Sequence, residues 1–189
     1  MPVSIDRVLV VAATDRELAT PAGWRTLVCG VGPVDAAVAT AAAIAADRPS
    51  TILHVGIAGA RRQSAMAPAT LVIGTESRYH DLGVPERFAP SRLAPPRWLV
   101  EAASRACPEA LRLAIGTSGR IGGTLDTEVE AMEGFAVLRA AQLAGVPALE
   151  VRAISNDIEE ADRARWHFDA AFEAIVAATG RIVEELARA

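Results

Sequence analysis

Apolar runs alternate with segments of helical periodicity along most of this chain. The runs are rich in Val, Ile, Leu and Ala, which is typical of strands buried on both faces. They predict strands over residues 7–13, 24–29, 50–55, 70–76, 111–116 and 148–154. Apolar residues at three- and four-residue spacing predict helices over residues 34–46, 97–106, 129–144 and 169–187. This alternation indicates an α/β fold, a three-layer sandwich with a mostly parallel central sheet.

The predicted helix over 129–144 carries a charge on an otherwise apolar face. Glu133 shares that face, by helical spacing, with apolar residues only: Val129, Val137, Ala140 and Ala144. The strand predicted after it contains Arg152 in a mostly apolar run. A buried charge is costly unless it is paired or functional. The two charges therefore predict a functional site, with a structural ion pair between them as the alternative.

Small or polar residues follow several predicted strands, where an α/β sheet places its ligand loops. Glu17 lies in a turn that Thr14 can cap, and a charge that complements the first helical turn is the alternative reading. The small residues of Gly56–Ala60 would let a ligand approach the backbone, unless they form only a turn. Ser155 and Asn156 follow the last strand, so we expect candidate ligand contacts at one edge of the sheet.

Composition narrows the class of protein. The chain has 189 residues, 51% of them hydrophobic, which is enough for a single domain over residues 1–189 with a continuous core. A net charge of −4 argues against a nucleic-acid partner. The first residues lack a signal-peptide layout and no apolar run reaches membrane-spanning length. We therefore expect a cytoplasmic protein without a membrane partner.

The cysteines and histidines give no reason to expect a metal centre. Cys29 and Cys107 lack CxxC spacing, and the three histidines lack the spacing of zinc ligands. His54 lies in an apolar run, which favours a core residue over a ligand. The glycines before the helix over 34–46 lack the third glycine of a dinucleotide motif. We expect neither a metal nor a cofactor.

Two motifs carry a resemblance to a known family. Met132-Glu133-Gly134, within VEAMEGFAV, is followed after a GVP turn by EVRAISN. Together they closely resemble the purine nucleoside phosphorylase/nucleosidase superfamily, from VLVVAATDREL to about Phe172. Members that hydrolyse futalosine look nearest, and those that hydrolyse 5'-methylthioadenosine or S-adenosylhomocysteine come next. The resemblance implies a nucleoside phosphorylase-like fold, a homo-oligomer, and a small-molecule purine nucleoside as partner.

The resemblance also implies roles for individual residues. Glu17 aligns with the glutamate that holds and activates the attacking water, and Glu133 with the one that grips the ribose hydroxyls. Arg152 would orient either carboxylate. Met132 would lie under the ribose. The segment Ile57-Ala58-Gly59 resembles the family's base-and-ribose loop, although methylthioadenosine nucleosidases carry a serine where Ile57 stands.

The expected base depends on one position. Adenine-cleaving relatives carry an aspartate where Asn156 stands. An asparagine amide offers both a donor and an acceptor, which matches a 6-oxopurine such as the hypoxanthine of futalosine. If the strand end is shifted by one residue, Asp157 takes the aspartate role and adenine becomes the expected base. Ser155, beside it, is an expected substrate contact.

The expected activity is hydrolysis of the N-ribosidic bond of futalosine, giving hypoxanthine and dehypoxanthine futalosine on a route to menaquinone. Hydrolysis of methylthioadenosine or S-adenosylhomocysteine is one alternative. A nucleoside-binding protein with impaired catalysis is another, because the segment Gly116–Thr127 is shorter than the family's usual insert. Phosphorolysis is disfavoured, since AATDREL lacks the family's phosphate-binding loop.

Overall fold

Strands and helices alternate along the chain in the computed structural model, which describes residues 3–189. The strands are β1 Val8–Ala12, β2 Arg25–Val28, β3 Thr51–Ala60, β4 Leu71–Tyr79, β5 Arg92–Leu93, β6 Leu111–Thr117, β7 Val129–Ala131 and β8 Ala148–Asp157. The helices are α1 Pro33–Ala46, α2 Arg97–Ala106, α3 Gly134–Leu143 and α4 Phe168–Arg188. A 3-10 turn over Asp15–Glu17 follows β1.

Most elements lie where the apolar pattern predicts them, but the segment from Val129 to Gly134 does not. Val129–Ala131 is a strand, and α3 begins only at Gly134 with Glu133 as its N-cap residue. The apolar residues of β7 pair with β3 on one side and β6 on the other, so tertiary pairing overrides the helical spacing. The predicted helix start, and with it the stripe shared by Val129 and Glu133, is corrected.

The strands that lead into the site are longer than predicted. Gly56–Ala60, expected as a loop, is the second half of β3. Ser155, Asn156 and Asp157, expected after a strand that ends at Ile154, are the last residues of β8. Consequently these residues are fixed by backbone pairing between β3 and β8 rather than held in flexible loops.

The central sheet is mixed, which confirms an α/β fold but corrects the expectation of a mostly parallel sheet in a three-layer sandwich. The parallel pairs are β1–β2, β1–β3, β3–β8, β4–β6 and β6–β7, and the antiparallel pairs are β3–β7, β4–β5 and β4–β8. In the order β3–β8–β4–β6–β7, the strands close into a barrel-like ring, because β7 pairs back onto β3. The first residues of β3 pair with β1 and its last two pair with β7, so β3 joins the open sheet to the ring.

Helices cover both faces of the open part of the sheet. Alternate residues of β1 separate the two cores: Val8 and Val10 pack with α2 and α4, and Leu9 and Val11 pack with α1 and α3. This alternation follows from the two-residue period of a strand. Within residues 3–189, no helix combines the length and the apolar character needed to cross a membrane.

Candidate active site

A cavity of about 300 Å³ opens where β1, β3, β7 and β8 meet. Its lining brings together nearly all the residues that the sequence nominates: Glu17, Ile57, Ala58, Gly59, Met132, Glu133, Ser155 and Asn156. Arg152 is the exception, because it lies buried behind the lining with 1% of its surface exposed. The cavity therefore collects side chains from four segments that are far apart in sequence, which is typical of a ligand site.

Glu17 is held in the cavity wall by donors on both carboxylate oxygens. Oε2 accepts from the backbone N–H and the hydroxyl of Thr14, each at 2.8 Å. Oε1 accepts from the N–H of Ile57 at 3.2 Å. A carboxylate has about four lone-pair sites, so one remains for a further donor such as a water molecule. The side chain is only 4% exposed, and its bond to the Thr14 N–H also caps the 3-10 turn, so the first-turn role of the alternative interpretation coexists with its place in the cavity lining.

Glu133 faces the same cavity from the start of α3. Its Oε1 accepts from the N–H of Gly32 at 3.0 Å, and its Oε2 lies 3.4 Å from Nη2 of Arg152. Gly32 has a φ of +92°, a conformation that a glycine adopts without strain. The ion pair with Arg152 is thus present, and it coexists with the position of Glu133 in the cavity lining.

Arg152 is fixed from below by a buried network. Nε donates to Glu150 Oε1 at 2.8 Å, and Nη2 lies 2.5 Å from Nε2 of His54. Burial alone would lower the pKa of the Arg152 guanidinium, but Glu150, Glu133 and Glu17 together raise it. The guanidinium therefore stays charged, and of the two carboxylates that it was expected to orient, it contacts Glu133 directly.

His54 supports this arginine as a neutral residue. Burial, and after it the charge of Arg152, hold the pKa of the imidazole well below its usual range. Nδ1 lies 3.0 Å from the carbonyl of Val11, so Nδ1 carries the hydrogen and Nε2 accepts from Arg152. The histidine expected to be a core residue is indeed fully buried with both ring nitrogens bonded.

Gly56 allows Arg152 and Glu17 to approach each other. It is the cross-strand neighbour of Arg152 in the β3–β8 pairing. A Cβ atom at this position would lie 2.2 Å from Nη1 of Arg152 and 2.8 Å from Oε1 of Glu17. The glycine is therefore required by the close packing of these charged groups against the backbone.

A β-bulge places two consecutive residues in the cavity. In the β3–β8 register Ala58 pairs with Ile154 and Gly59 with Asn156, so Ser155 is the extra residue. Neighbouring residues of a regular strand point to opposite faces, but a bulge re-aims a side chain. Both Ser155 and Asn156 accordingly line the cavity.

The amide of Asn156 is oriented by its neighbours. Its Oδ1 accepts from the Ser155 hydroxyl at 2.7 Å, and its Nδ2 donates to the carbonyl of Asp157 at 2.8 Å. One amide hydrogen and one lone pair remain for a ligand. The carboxylate of Asp157 instead accepts from Nε of Arg62 at 3.1 Å, its side chain is 43% exposed, and it does not line the cavity.

The short glycine-rich segment is held by Glu130, a residue that the sequence analysis missed. This carboxylate accepts from the N–H groups of Gly122 and Thr124 and from the Thr124 hydroxyl. Ile121, in the same segment, lines the cavity. The segment therefore contributes a wall despite its length. The first acidic residue of VEAMEG, which is Glu130 itself, was the available signal.

An aromatic group on the far side of β8 was also missed. Arg163, Trp166, Phe168 and Phe172 line the cavity between the end of β8 and the first turns of α4. Aromatic residues are only 4% of the chain, so the cluster Trp166-His167-Phe168 soon after RAISN was a usable signal.

The thiols and metal-binding side chains outside this arrangement add no chemistry. Burial, followed by the charge of Glu133, raises the pKa of the Cys29 thiol to about 11, so it is a poor nucleophile at neutral pH. Within residues 3–189, no group of three or more His, Cys, Asp or Glu side chains is placed to hold a metal ion.

Known proteins share both the sequence and the fold. The chain is 34% identical to the futalosine hydrolase of Streptomyces coelicolor, with 88% of this chain and 81% of that protein covered. Its fold matches a 5'-methylthioadenosine/S-adenosylhomocysteine nucleosidase of Colwellia psychrerythraea, solved with adenine, with a TM-score of 0.85, 18% identity, and 98% of each chain covered. It also matches a futalosine hydrolase of Helicobacter pylori, with a TM-score of 0.81, 15% identity, and 94% of this chain and 97% of that chain covered.

A family model reaches the same result from the sequence. The model of the phosphorylase superfamily matches residues 25–129, which is more than half of the chain. The resemblance carried by the motifs is confirmed: this chain belongs to the phosphorylase superfamily.

Proposed function

We propose that this protein hydrolyses the N-ribosidic bond of futalosine and releases hypoxanthine and dehypoxanthine futalosine, a step towards menaquinone. The broader statement, that it is an N-glycosyl hydrolase acting on purine nucleosides, follows from its family and from its 34% identity to a futalosine hydrolase. The choice of futalosine rests on the cavity itself.

The arrangement of carboxylates suits this reaction. Positive charge develops on the sugar as the bond between ribose and base breaks. Glu133 accepts hydrogen bonds from the ribose hydroxyls, and its negative charge stabilises the developing cation. Glu17 uses its free lone pair to hold a water molecule and takes a proton from it as the water oxygen attacks the anomeric carbon and the departing base takes the bonding electrons. Arg152 fixes Glu133 from behind and touches neither water nor sugar.

The proposal that futalosine is the substrate depends on the position of Asn156. Its amide lies in the cavity with one hydrogen and one lone pair free, whereas the Asp157 carboxylate points outward to Arg62. The free N–H can donate to O6 of hypoxanthine and the carbonyl can accept from a protonated N7. An amide transfers no proton, so we infer that the proton at N7 comes from water.

A substrate panel tests the proposal. The purified protein is incubated with futalosine, inosine, methylthioadenosine and adenosine, each with and without phosphate, and free base is measured by chromatography. We expect hypoxanthine from futalosine without phosphate, at the highest kcat/KM of the panel. Preferred release of adenine would instead support a methylthioadenosine nucleosidase. A requirement for phosphate would indicate a phosphorylase, and binding without release would indicate a nucleoside-binding protein.

A further inference from the structure

Glu150 is a buried carboxylate that the chemistry above does not use. It lies on β8 with 1% of its surface exposed, and it does not line the cavity. Its Oε1 accepts from Nε of Arg152 at 2.8 Å, whereas its Oε2 has no hydrogen-bond partner among residues 3–189. Burial raises the pKa of its carboxyl, and the charge of Arg152 acts in the opposite direction. An apolar side chain would avoid the cost of burying this group, which indicates a role other than stability.

Strand geometry explains how Glu150 reaches Arg152. The two residues are two positions apart on β8, so their side chains project from the same face of the strand. His54 is the cross-strand neighbour of Glu150, and it contacts the guanidinium at Nη2. The carboxylate fits beside α3 because Gly134 has no side chain, and a Cβ there would overlap Oε2. Arg152 is therefore held at two atoms, by Glu150 and by His54.

Glu133 depends on Arg152 for one of its two oxygens. Its Oε1 accepts from the N–H of Gly32, but the only described partner of its Oε2 is Nη2 of Arg152, at 3.4 Å. That contact is long, so a small rotation of the guanidinium would break it. The bond from Nε to Glu150 restrains such a rotation at the atom that joins the guanidinium to the rest of its side chain.

We propose that Glu150 is a positioning residue for ribose recognition: it orients the guanidinium of Arg152, which in turn orients Glu133 towards the ribose hydroxyls. A carboxylate that grips two adjacent hydroxyls needs both oxygens held in place, and Glu150 supplies that support without touching substrate or water. This inference rests on the proposed function and adds a residue on which the same site depends.

The test measures how strongly the protein prefers inosine to 3'-deoxyinosine, which lacks one ribose hydroxyl. Glu150→Met and Glu150→Gln both keep the length of the side chain, but only glutamine offers an oxygen to Nε of Arg152. In Glu150→Met we expect the ratio of kcat/KM for inosine over 3'-deoxyinosine to fall by about three- to tenfold, as when one hydrogen bond is lost. Glu150→Gln should keep the wild-type ratio. A general loss of packing would lower both kcat/KM values together and leave the ratio unchanged.

Glu76→Met on β4 is the matched control. Glu76 accepts from Nε of Arg78 at 2.7 Å, and these residues are also two positions apart on one strand. Neither lines the cavity, so the ratio should stay at its wild-type value.

Two results would overturn the positioning role while leaving the nucleosidase function standing. One is a wild-type ratio in Glu150→Met, and the other is an equal loss in Glu150→Met and Glu150→Gln. If Glu150→Met does not fold, Glu150→Asp takes its place, because the shorter side chain withdraws the carboxylate from Arg152 but keeps its charge.

Failure of the proposed function gives a different result. If the wild-type protein releases no base from any nucleoside, its affinities for inosine and 3'-deoxyinosine are measured by calorimetry instead. A preference for inosine that is lost in Glu150→Met and kept in Glu150→Gln still supports the positioning role. The same preference in all three proteins overturns it.

Discussion

At the scale of single residues, one amide at the end of β8 distinguishes the bases that the cavity accepts. Asn156→Asp replaces the free N–H donor with an acceptor and supplies a group able to carry a proton to N7. We expect the ratio of kcat/KM for inosine over adenosine to fall by about tenfold or more, in line with the loss of a hydrogen bond in a binding site. Steady-state kinetics on both nucleosides give this ratio.

Asp157→Asn is the matched control for that substitution. It makes the inverse chemical change one residue away, on a side chain that pairs with Arg62 outside the cavity. The inosine-to-adenosine ratio should stay as in the wild type. If Asp157→Asn changes the ratio and Asn156→Asp does not, the assignment of Asn156 as the residue that recognises the base is wrong.

Glu17 gives a second test at the same scale. Glu17→Gln keeps the size of the side chain but places an NH₂ group where donors now point, which disrupts the water site. We expect kcat to fall by about 10²–10⁴-fold, the usual contribution of a positioned base, with substrate affinity almost unchanged. Single-turnover rates and binding constants separate the two effects.

The exposed carboxylate of the same turn is the control for Glu17. Asp15→Asn should leave kcat close to the wild-type value, because Asp15 does not line the cavity. Weaker substrate binding with unchanged turnover in Glu17→Gln would contradict the water-holding role.

At the scale of elements, the sequence correctly predicts the helices and strands that are determined by their local pattern alone. The helix over 97–106 and the strand at β1 have patterns that agree with their tertiary surroundings. The helix predicted over Val129–Ala131 is wrong because pairing with two strands overrides its helical spacing. The loop predicted over Gly56–Ala60 is wrong, although small residues are typical of turns. The packing of Arg152 against Gly56 explains why a glycine lies inside this strand.

Two glycines in helices are expected to respond in opposite directions when they are replaced by alanine. A Cβ at Gly134 would lie 2.0 Å from Oε2 of Glu150, a buried carboxylate already held by Arg152. Gly134→Ala should therefore lower the free energy of unfolding by about 1–3 kcal/mol through overpacking. At Gly180, inside α4, the nearest atom to a Cβ is Cη2 of Trp24 at 3.8 Å, an ordinary contact.

Gly180→Ala should consequently raise the free energy of unfolding by about 0.5–1 kcal/mol, because it removes backbone freedom from the unfolded chain without a clash. Urea denaturation of both variants measures the two shifts. Equal destabilisation by the two substitutions would show that the space around Gly134 is not the cause.

The candidate site was predicted as far as its motifs reach. AATDREL, VEAMEG and RAISN contain the chemistry-bearing residues, and the structure brings all of them except the buried Arg152 into the lining of one cavity. Of the other cavity-lining residues, Arg163 escaped because nothing in its local pattern distinguishes it from a surface loop, whereas Trp166 belongs to an aromatic cluster whose place in the fold the pattern does not give. Their place in the lining depends on the way in which α4 packs beside the end of β8.

At the scale of the whole molecule, the buried His54 makes stability depend on pH. Its folded-state pKa is lowered, so the unfolded chain takes up a proton near pH 6.5 while the folded protein does not. The contribution of neutral His54 to the free energy of unfolding is fully present above that pH. Below it, this contribution falls by about 1.4 kcal/mol per pH unit while the folded histidine stays neutral.

We therefore expect the stability difference between wild type and His54→Gln to shrink by about 2 kcal/mol from pH 7.5 to pH 5. Denaturant unfolding at both pH values measures it. A constant difference for His54→Gln would mean that the buried imidazole takes up its proton over the same pH range as in the unfolded chain.

The closure of the ring is the property that the sequence conveys least. No local pattern reveals that β7 returns to pair with β3, since the paired residues lie about 70 positions apart in the chain. The homo-oligomer implied by the resemblance stays a prediction. Exposed apolar side chains such as Val34 and Val38 on α1 offer surface for such contacts, and light scattering in solution decides the matter.

Gly56 has a consequence for folding itself. Strands such as β3 and β8 can align in more than one way, and a shift by one residue would set a neighbour of Gly56 opposite Arg152. Val55 or Ile57 would then push a side chain towards the guanidinium, with no room to receive it. The glycine that admits the cation thus also rejects shifted alignments, and correct assembly of the core becomes a condition for assembling the cavity.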